Sequence, residues 1–89
     1  MSKVVMYYSP SCPYCAGAEA LLKKKGVTFE KLDVDADPGL WDYVYDTLDR
    51  ETVPQIIIGD RHVGGYDDLA ELDAMGELDD LLTADDQGY

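Results

Sequence analysis

Cys12 and Cys15, the two cysteines of the chain, lie where a strand pattern gives way to a helix pattern, and they constrain the fold more than any other feature. Residues 3–8 are rich in β-branched and aromatic side chains and are followed by Ser9-Pro10-Ser11, as expected of a buried strand that ends in a loop. Pro13 suits the first position of a helix, which makes Cys12 the N-cap. Cysteines at this spacing share one helical turn, so a disulfide between them can close and reopen with little backbone movement. The spacing therefore predicts a redox-active pair.

Two other roles for the cysteine pair are weaker. A disulfide that only stabilises the fold would close a very short loop, and by the chain-entropy argument such a loop contributes little. A zinc site would need two further ligands, and His62 is the one histidine of the chain. We therefore expect no bound metal.

The segments after the cysteines alternate between helix and strand patterns. Apolar residues at helical spacing continue to Lys23-Lys24-Lys25, whose charges suit the negative end of the helix dipole, and Gly26 ends the helix. Residues 27–34 predict a second strand. Asp37-Pro38 then opens a second helix by the N-cap and N1 preferences. The apolar stripe of this helix consists of Leu40, Trp41, Val44 and Leu48.

The second half of the chain predicts a hairpin and two short helices. Residues 54–58 and 61–64 form antiparallel strands joined by Gly59-Asp60 in a type II′ turn. Gly64-Gly65 breaks the strand, and Asp67 or Asp68 caps the next helix, where Asp68 and Glu71 have capping-box spacing. A last helix carries Leu78, Leu81 and Leu82, and the polar residues 83–89 are expected to fray.

The order of these elements, β-α-β-α-β-β-α with a terminal helix, predicts an α/β fold. We expect a single domain over residues 1–89, built on a four-stranded mixed sheet that is flanked by helices on both faces.

The chain is strongly acidic, with 7 basic and 19 acidic residues, 14 of them aspartate, and a formal net charge of -12. This charge disfavours nucleic acid and anionic membranes as partners, and it fits either a salt-rich cytosol or an ordinary acidic protein. Residues 1–8 lack the features of a signal peptide, and no apolar run in the sequence reaches membrane-spanning length. We therefore expect a cytoplasmic protein.

Three separated segments together resemble the glutaredoxin family in its dithiol form. They are Cys12-Pro13-Tyr14-Cys15, Thr52-Val53-Pro54-Gln55-Ile56 and Gly64-Gly65-Tyr66-Asp67-Asp68-Leu69. Their order and spacing fit the family from Lys3 to about Leu82. The resemblance implies a thioredoxin fold and a monomeric, glutathione-dependent thiol–disulfide oxidoreductase, which reduces protein disulfides and glutathione mixed disulfides.

The resemblance also implies a different role for each cysteine. Cys12 lies at a helix N-terminus, where a thiolate is stabilised, and attacks a sulfur of the disulfide. Cys15, one turn further along and more buried, resolves the mixed disulfide that forms. Glutathione is the reducing co-substrate.

One half of the implied glutathione site is the segment Thr52, Val53 and Pro54. In the family the matching proline is cis and faces the active cysteine, so Val53 would offer its backbone N–H and C=O to the cysteinyl part of glutathione. From the sequence alone, Pro54 indicates only the start of a strand, where its missing donor is tolerated.

The other half of the implied site is the turn from Gly65 to Asp68. It would hold the γ-glutamyl end of glutathione through backbone N–H groups and an aspartate side chain from Asp67 or Asp68, while the other aspartate caps the helix. Tyr14 is expected beside the bound thiol. Tyr66 stands where relatives commonly have a small residue, and it would narrow the groove.

Three polar residues, Ser9, Arg50 and His62, lie outside these two segments. Relatives usually place a lysine at the position of Ser9, where it pairs with the glycyl carboxylate of glutathione. With Ser9 there and a net charge of -12, we expect weaker glutathione binding or a less stabilised thiolate, or a physiological thiol without that carboxylate, such as γ-glutamylcysteine. Arg50 either reaches the glycyl carboxylate or is a solvated surface arginine. His62 is expected to be exposed and to have no role as a base.

The sequence is compatible with two alternative functions. Because Ser9 departs from the family pattern, a redoxin reduced by a flavoprotein reductase of the thioredoxin type stays open. A different class of function is a carrier of a [2Fe-2S] cluster held by Cys12 of two subunits and two glutathiones. Pro13 counts against the carrier, since cluster-binding relatives usually lack this proline or have a single active cysteine.

Overall fold

The computed structural model describes residues 3–83, which fold around a four-stranded mixed sheet. The strands are β1 (Val4–Tyr8), β2 (Glu30–Asp33), β3 (Gln55–Ile58) and β4 (Arg61–Gly64), in the spatial order β2-β1-β3-β4. β1 pairs in parallel with β2 and antiparallel with β3, and β3 pairs antiparallel with β4. The predicted hairpin is confirmed, and Gly59 in its turn has φ +62, the positive value that the first position of a type II′ turn needs.

Four helices of the described residues cover the two faces of the sheet. They are α1 (Pro13–Lys24), α2 (Gly39–Asp46), α3 (Tyr66–Ala74) and α4 (Leu78–Thr83). None of the helices within residues 3–83 is long and apolar enough to span a membrane. Thr83 is helical, and the rest of the segment that we expected to fray lies outside the described residues.

The alternation of side chains along the strands divides the core into two clusters. Val4 and Met6 of β1, with Ile56 and Ile58 of β3, pack on one face against apolar side chains of α1, α3 and α4. Tyr7 and Ile57 point to the other face and pack with the cluster that contains Val44 of α2. Burial of each of these large side chains stabilises the fold by about 1.5–3 kcal/mol. Both layers therefore hold β1 and β3, the strands whose ends carry the candidate site.

The first helix begins and ends as the sequence predicts. Cys12 is the N-cap with extended backbone angles, φ -93 and ψ 116, and Pro13 is the first helical residue. Lys25 is the C-cap, and Gly26 follows with φ +74, a conformation that glycine adopts without steric cost.

Two helix boundaries differ from the prediction. α2 begins at Gly39, one residue later than the position of Pro38 implied, although the Asp37 carboxylate still accepts a hydrogen bond from the Gly39 N–H at 3.1 Å. The N-cap of α3 is Gly65 and not the predicted Asp67 or Asp68, because the glycine pair lets the helix start directly at Tyr66. The Asp68 carboxylate still caps the start of the helix, since it accepts a hydrogen bond from the Gly65 N–H. Asp68 is then the third helical residue, and Glu71 lies in the helix interior.

Candidate active site

The pairing of the strands brings four chain segments to one edge of the sheet. Tyr8 at the end of β1 pairs with Asp33 at the end of β2, and Tyr7 pairs with Gln55 at the start of β3. Ile56 pairs with Gly64 at the end of β4. The loops that follow β1, β2 and β4 and the loop that precedes β3 therefore meet. These loops contain both cysteines, the Val53–Pro54 bond and the two glycines.

Cys12 faces the backbone of Val53. Its Sγ lies 3.5 Å from the Val53 carbonyl oxygen, within the range of a weak S–H···O hydrogen bond, and the Val53–Pro54 peptide bond is cis. The Cys12 N–H donates to the Ser9 carbonyl at 3.1 Å, which fixes the loop before the helix. The first turn of α1 contains no acidic residue, so the positive end of the helix dipole acts on Cys12 without a competing charge from that turn. The thiol is partly exposed and available for attack on a disulfide.

Cys15 is only 2% exposed, and its environment is very different. The pKa of the Cys15 thiol is raised from 9.0 to about 12, mainly by burial and further by the hydrogen bond with Cys12 and the charges of Cys12 and Asp35. A hydrogen bond from the Ser9 backbone partly offsets this rise by lowering the pKa. Cys15 therefore stays protonated at neutral pH. Once the Cys12 sulfur is bonded in a mixed disulfide it carries no thiolate charge, which removes its contribution to the raised pKa of Cys15, whereas burial, the largest cause, remains.

Ser9 is buried and turned towards the loop after β2. Its hydroxyl donates to Asp35 Oδ2 at 2.5 Å and lies 3.1 Å from the hydroxyl of Ser11. The Asp35 N–H in turn donates to Asp33 Oδ1 at 2.8 Å. No sequence motif pointed to Asp35, which follows β2, the strand that runs parallel to β1 before Ser9. Ser9 occupies the position where the family resemblance leads us to expect a lysine. In place of a positive charge, its hydroxyl holds the carboxylate of Asp35 near the cysteines.

The turn from Gly64 to Asp68 lies beside the Val53–Pro54 segment. A Cβ atom at Gly65 would lie 3.5 Å from the Pro54 carbonyl oxygen, at van der Waals contact, so the turn packs directly against the backbone of Pro54. Asp68 Oδ2 accepts a hydrogen bond from the Gly65 N–H at 3.0 Å. The N–H groups of Tyr66 and Asp67 belong to the first turn of α3, where helix geometry gives them no intrahelical acceptor. N–H groups in this position of a helix can bind an anion, although the first turn of α3 also carries the acidic side chains of Asp67 and Asp68.

The two tyrosines expected at the site lie in different surroundings. Tyr14 is 62% exposed on the first turn of α1. The Tyr66 ring packs on Gly17 of α1, where a Cβ atom would lie 3.2 Å from Tyr66 Cε1. A narrower groove because of Tyr66 stays a prediction.

Gln55 and His62 form a connection that the sequence did not reveal. Gln55 is 1% exposed, and its Nε2 donates to the Thr52 carbonyl at 2.8 Å. His62 is half-buried, so the expectation that it is exposed is wrong, and its Nε2 lies 2.8 Å from Gln55 Oε1. Burial and, to a smaller extent, the positive charge of Arg50 lower the pKa of His62, against an opposite effect of Asp68. Arg50 itself is exposed.

A groove of about 290 Å³ opens beside the two cysteines on the side of α1 and β2. The groove is also lined by Tyr8, Glu19 and Lys31. The Lys31 ammonium lies 2.9 Å from the Glu19 carboxylate and 4.6 Å from the centroid of the Tyr8 ring. Within residues 3–83, no three His, Cys, Asp or Glu side chains come together as metal ligands. Cys12 and Cys15 are both free thiols.

Comparisons with known proteins match this arrangement. The family model described as Glutaredoxin matches residues 4–63. Glutaredoxin 3 of Escherichia coli K12 is 46% identical over 82 residues, which cover 92% of this chain and 99% of the relative. The solution structure of glutaredoxin from Brucella melitensis is 49% identical with a TM-score of 0.82 and covers 92% of this chain and 89% of that one. The crystal structure of a buckwheat glutaredoxin–glutathione complex is 25% identical with a TM-score of 0.87, and the match covers 92% of this chain and 77% of the buckwheat chain.

These matches confirm the predicted thioredoxin fold. The family model covers the cysteines and the cis proline, and the two bacterial relatives, which match 92% of the chain, also cover the glycine turn. The chain therefore belongs to the glutaredoxin family, whose members are thiol–disulfide oxidoreductases.

Proposed function

We propose that this protein is a dithiol glutaredoxin, which uses glutathione to reduce protein disulfides and glutathione mixed disulfides. The observation that carries the proposal is the partly exposed Cys12 thiol, 3.5 Å from the Val53 carbonyl and next to a cis proline, with the buried Cys15 thiol one turn behind it. An extended thiol-bearing ligand that pairs with the Val53 backbone would present its sulfur to Cys12.

The first step is attack by the Cys12 thiolate on one sulfur of the disulfide. The old S–S bond breaks, a new bond joins Cys12 to that sulfur, and the leaving thiolate takes up a proton. With a glutathione mixed disulfide, the product is Cys12 bonded to glutathione. A second glutathione thiolate then attacks the glutathionyl sulfur, which releases glutathione disulfide and restores Cys12.

A protein disulfide can follow a second route. After Cys12 has formed a bond with one protein sulfur, the Cys15 thiolate attacks Cys12 Sγ, and the second protein thiol leaves reduced. The resulting Cys12–Cys15 disulfide is then reduced by two glutathione molecules. The high pKa of Cys15, about 12, keeps this thiol from competing with Cys12 for the first attack.

Recognition of glutathione would divide along its length. Thr52, Val53 and Pro54 would hold the cysteinyl part. The N–H groups of Tyr66 and Asp67 would bind the γ-glutamyl carboxylate, and a carboxylate oxygen of Asp67 or Asp68 would bind its ammonium group. The glutathione complex of the buckwheat relative supports glutathione as the ligand. We further propose that the chain acts as a monomeric single domain in the cytoplasm.

Single-cysteine variants test this function. In an NADPH-coupled assay with glutathione reductase, Cys15→Ser should still reduce a small glutathione mixed disulfide but fail on protein disulfides, whereas Cys12→Ser should be inactive on both. Thioredoxin reductase in a parallel assay tests direct reduction by a flavoprotein. An active Cys12→Ser protein, or turnover with thioredoxin reductase alone, would overturn the proposal.

Ser9 provides a test of thiol specificity. Ser9→Lys should increase activity with glutathione more than with γ-glutamylcysteine, because only glutathione has the glycyl carboxylate that a lysine there can bind. Arg50→Gln should act in the opposite direction if Arg50 binds the same group. Equal changes with both thiols would show that neither position contacts the glycyl carboxylate.

A further inference from the structure

Gln55 joins β4 to the segment in front of Cys12 through two hydrogen bonds of its side-chain amide. The amide nitrogen donates to the Thr52 carbonyl at 2.8 Å, which leaves Oε1 as the group that faces His62 Nε2, also at 2.8 Å. Oε1 is only an acceptor, so His62 must carry its proton on Nε2. The network fixes the tautomer of His62, with Nδ1 unprotonated in the neutral ring.

The Thr52 carbonyl matters because it shares a peptide unit with the Val53 N–H. The Thr52–Val53 peptide unit is trans, because Val53–Pro54 is the only cis peptide bond among residues 3–83. In a planar trans peptide the C=O and N–H point in opposite directions. When Gln55 holds the Thr52 carbonyl towards the protein interior, the Val53 N–H must point outward.

We propose that His62 and Gln55 are positioning residues for thiol exchange, which hold the Thr52 carbonyl so that the Val53 N–H is presented to the bound thiol ligand. The inference rests on the proposed function in one respect, that a thiol ligand pairs with Val53. Neither side chain contacts the reacting sulfurs. Their role is to keep the ligand in line with Cys12, where a small misplacement slows attack.

The hydrogen bond does not depend on the charge of His62. Nε2 carries a proton in this neutral tautomer and in the imidazolium, so Gln55 Oε1 can accept in both states. The charged groups that act on His62 are Arg50 from the loop before β3 and Asp68 from α3, and they oppose one another. The role assigned to His62 is therefore donation from Nε2.

Substitutions of His62 separate positioning from general stability. His62→Leu removes the donor and leaves a buried Gln55 oxygen without a partner, and we expect KM for a glutathione mixed disulfide to rise about three- to tenfold, the effect of one hydrogen bond. His62→Gln, which retains an N–H donor, should recover most of this loss. Alkylation of Cys12 by iodoacetamide, which needs no contact with Val53, should stay within about twofold of the wild type.

Arg61→Gln is the matched control, because Arg61 precedes His62 on β4 and is exposed. It should leave KM unchanged. If the wild type shows no glutathione-dependent turnover, the proposed function fails. If the wild type is active but His62→Leu has the wild-type KM, or His62→Gln recovers nothing, the positioning role is refuted. ¹⁵N NMR of the wild type provides a test without substitution: a neutral His62 protonated on Nδ1 would overturn the inference.

Discussion

Gly64→Ala is the substitution whose effect the structure defines most closely. Gly64 ends β4 with φ +117, a conformation that side chains other than glycine rarely adopt. A Cβ atom there would also overlap the carboxylate of Asp68 and lie 3.0 Å from its Cγ. The alanine variant must therefore strain the backbone and displace Asp68 from its hydrogen bond with the Gly65 N–H.

These two effects can be given approximate sizes. Backbone strain at such an angle costs on the order of 2 kcal/mol. Loss of the Asp68 hydrogen bond, together with the attraction of its charge to the start of α3, costs about 1.5 kcal/mol. Gly64→Ala should then lower the free energy of unfolding by about 3.5 kcal/mol, a large part of the roughly 5–15 kcal/mol typical of a small domain.

The chain offers its own controls. Gly26 and Gly76 have φ +74 and +75, and a Cβ atom at either would meet no other atom within 4 Å. Alanine at either position should cost about 1–2 kcal/mol, the cost of the left-handed conformation alone. Urea unfolding followed by the fluorescence of Trp41, the one tryptophan of the chain, measures each variant.

A double-mutant cycle isolates the contact with Asp68. Asp68→Ala alone should cost about 1.5 kcal/mol, but adding it to Gly64→Ala should cost almost nothing more, since the hydrogen bond is already lost. The double variant should therefore lose about 1.5 kcal/mol less than the sum of the two single losses. Additive losses, or a Gly64→Ala variant no less stable than Gly76→Ala, would refute the reasoning.

Three further predictions concern other contacts of the fold. Gly17→Ala should change the free energy of unfolding little in the wild type, because contact of the new Cβ with the Tyr66 ring at 3.2 Å offsets the gain of about 1 kcal/mol expected of alanine in a helix. In a Tyr66→Ala background this contact is absent, and urea unfolding should show the full gain. Lys25→Gln should destabilise the protein, because it removes the ion pairs of Lys25 with Asp73 at 2.6 Å and with Asp79 at 3.1 Å. The difference in the free energy of unfolding between wild type and variant should shrink in about 1 M salt, which screens such exposed charges. Hydrogen bonds with these carboxylates raise the pKa of Lys25 above 10.5, so the contribution should be lost only as the pH rises through that raised value. Burial lowers the pKa of His62 below 6.5, so the unfolded chain takes up the proton first, and the wild type should lose stability relative to His62→Gln as the pH falls below 6.5.

Local rules were enough to predict most elements of the fold. Pro13 and Gly26 mark the ends of the first helix because a missing N–H and a positive φ are properties of single residues. The hairpin follows from Gly59 in the same way. β2 starts later than predicted, at Glu30, because its partner β1 has only five residues and pairs Val5 with Glu30. The alternating side chains of Val27 and Phe29 pack beside the core without joining the sheet.

The parts of the site that the sequence did not reveal are side-chain contacts between distant segments. Ser9 and Asp35 are 26 residues apart, and their hydrogen bond exists only because β1 and β2 run parallel and end together. His62 meets Gln55 across a hairpin whose register shifts between Ile56 and Ile57. No rule of spacing predicts such an irregularity. Sequence reasoning therefore placed the two cysteines correctly at the start of α1 but did not identify the groups that set their environment.

The position of Ser9 shows how that environment separates the two cysteines. A lysine there would add a positive charge near both thiols, whereas Ser9 contributes a hydroxyl that holds the negative charge of Asp35 in place. Asp35 is among the groups that raise the pKa of Cys15, while Cys12 lies at the start of a helix whose first turn has no acidic residue. Burial and the charge of Asp35 therefore oppose ionisation of Cys15, which leaves the first attack in the proposed mechanism to Cys12. Exchange with glutathione, which needs only Cys12, should be the faster of the two routes, and resolution by Cys15 should limit the reduction of protein disulfides.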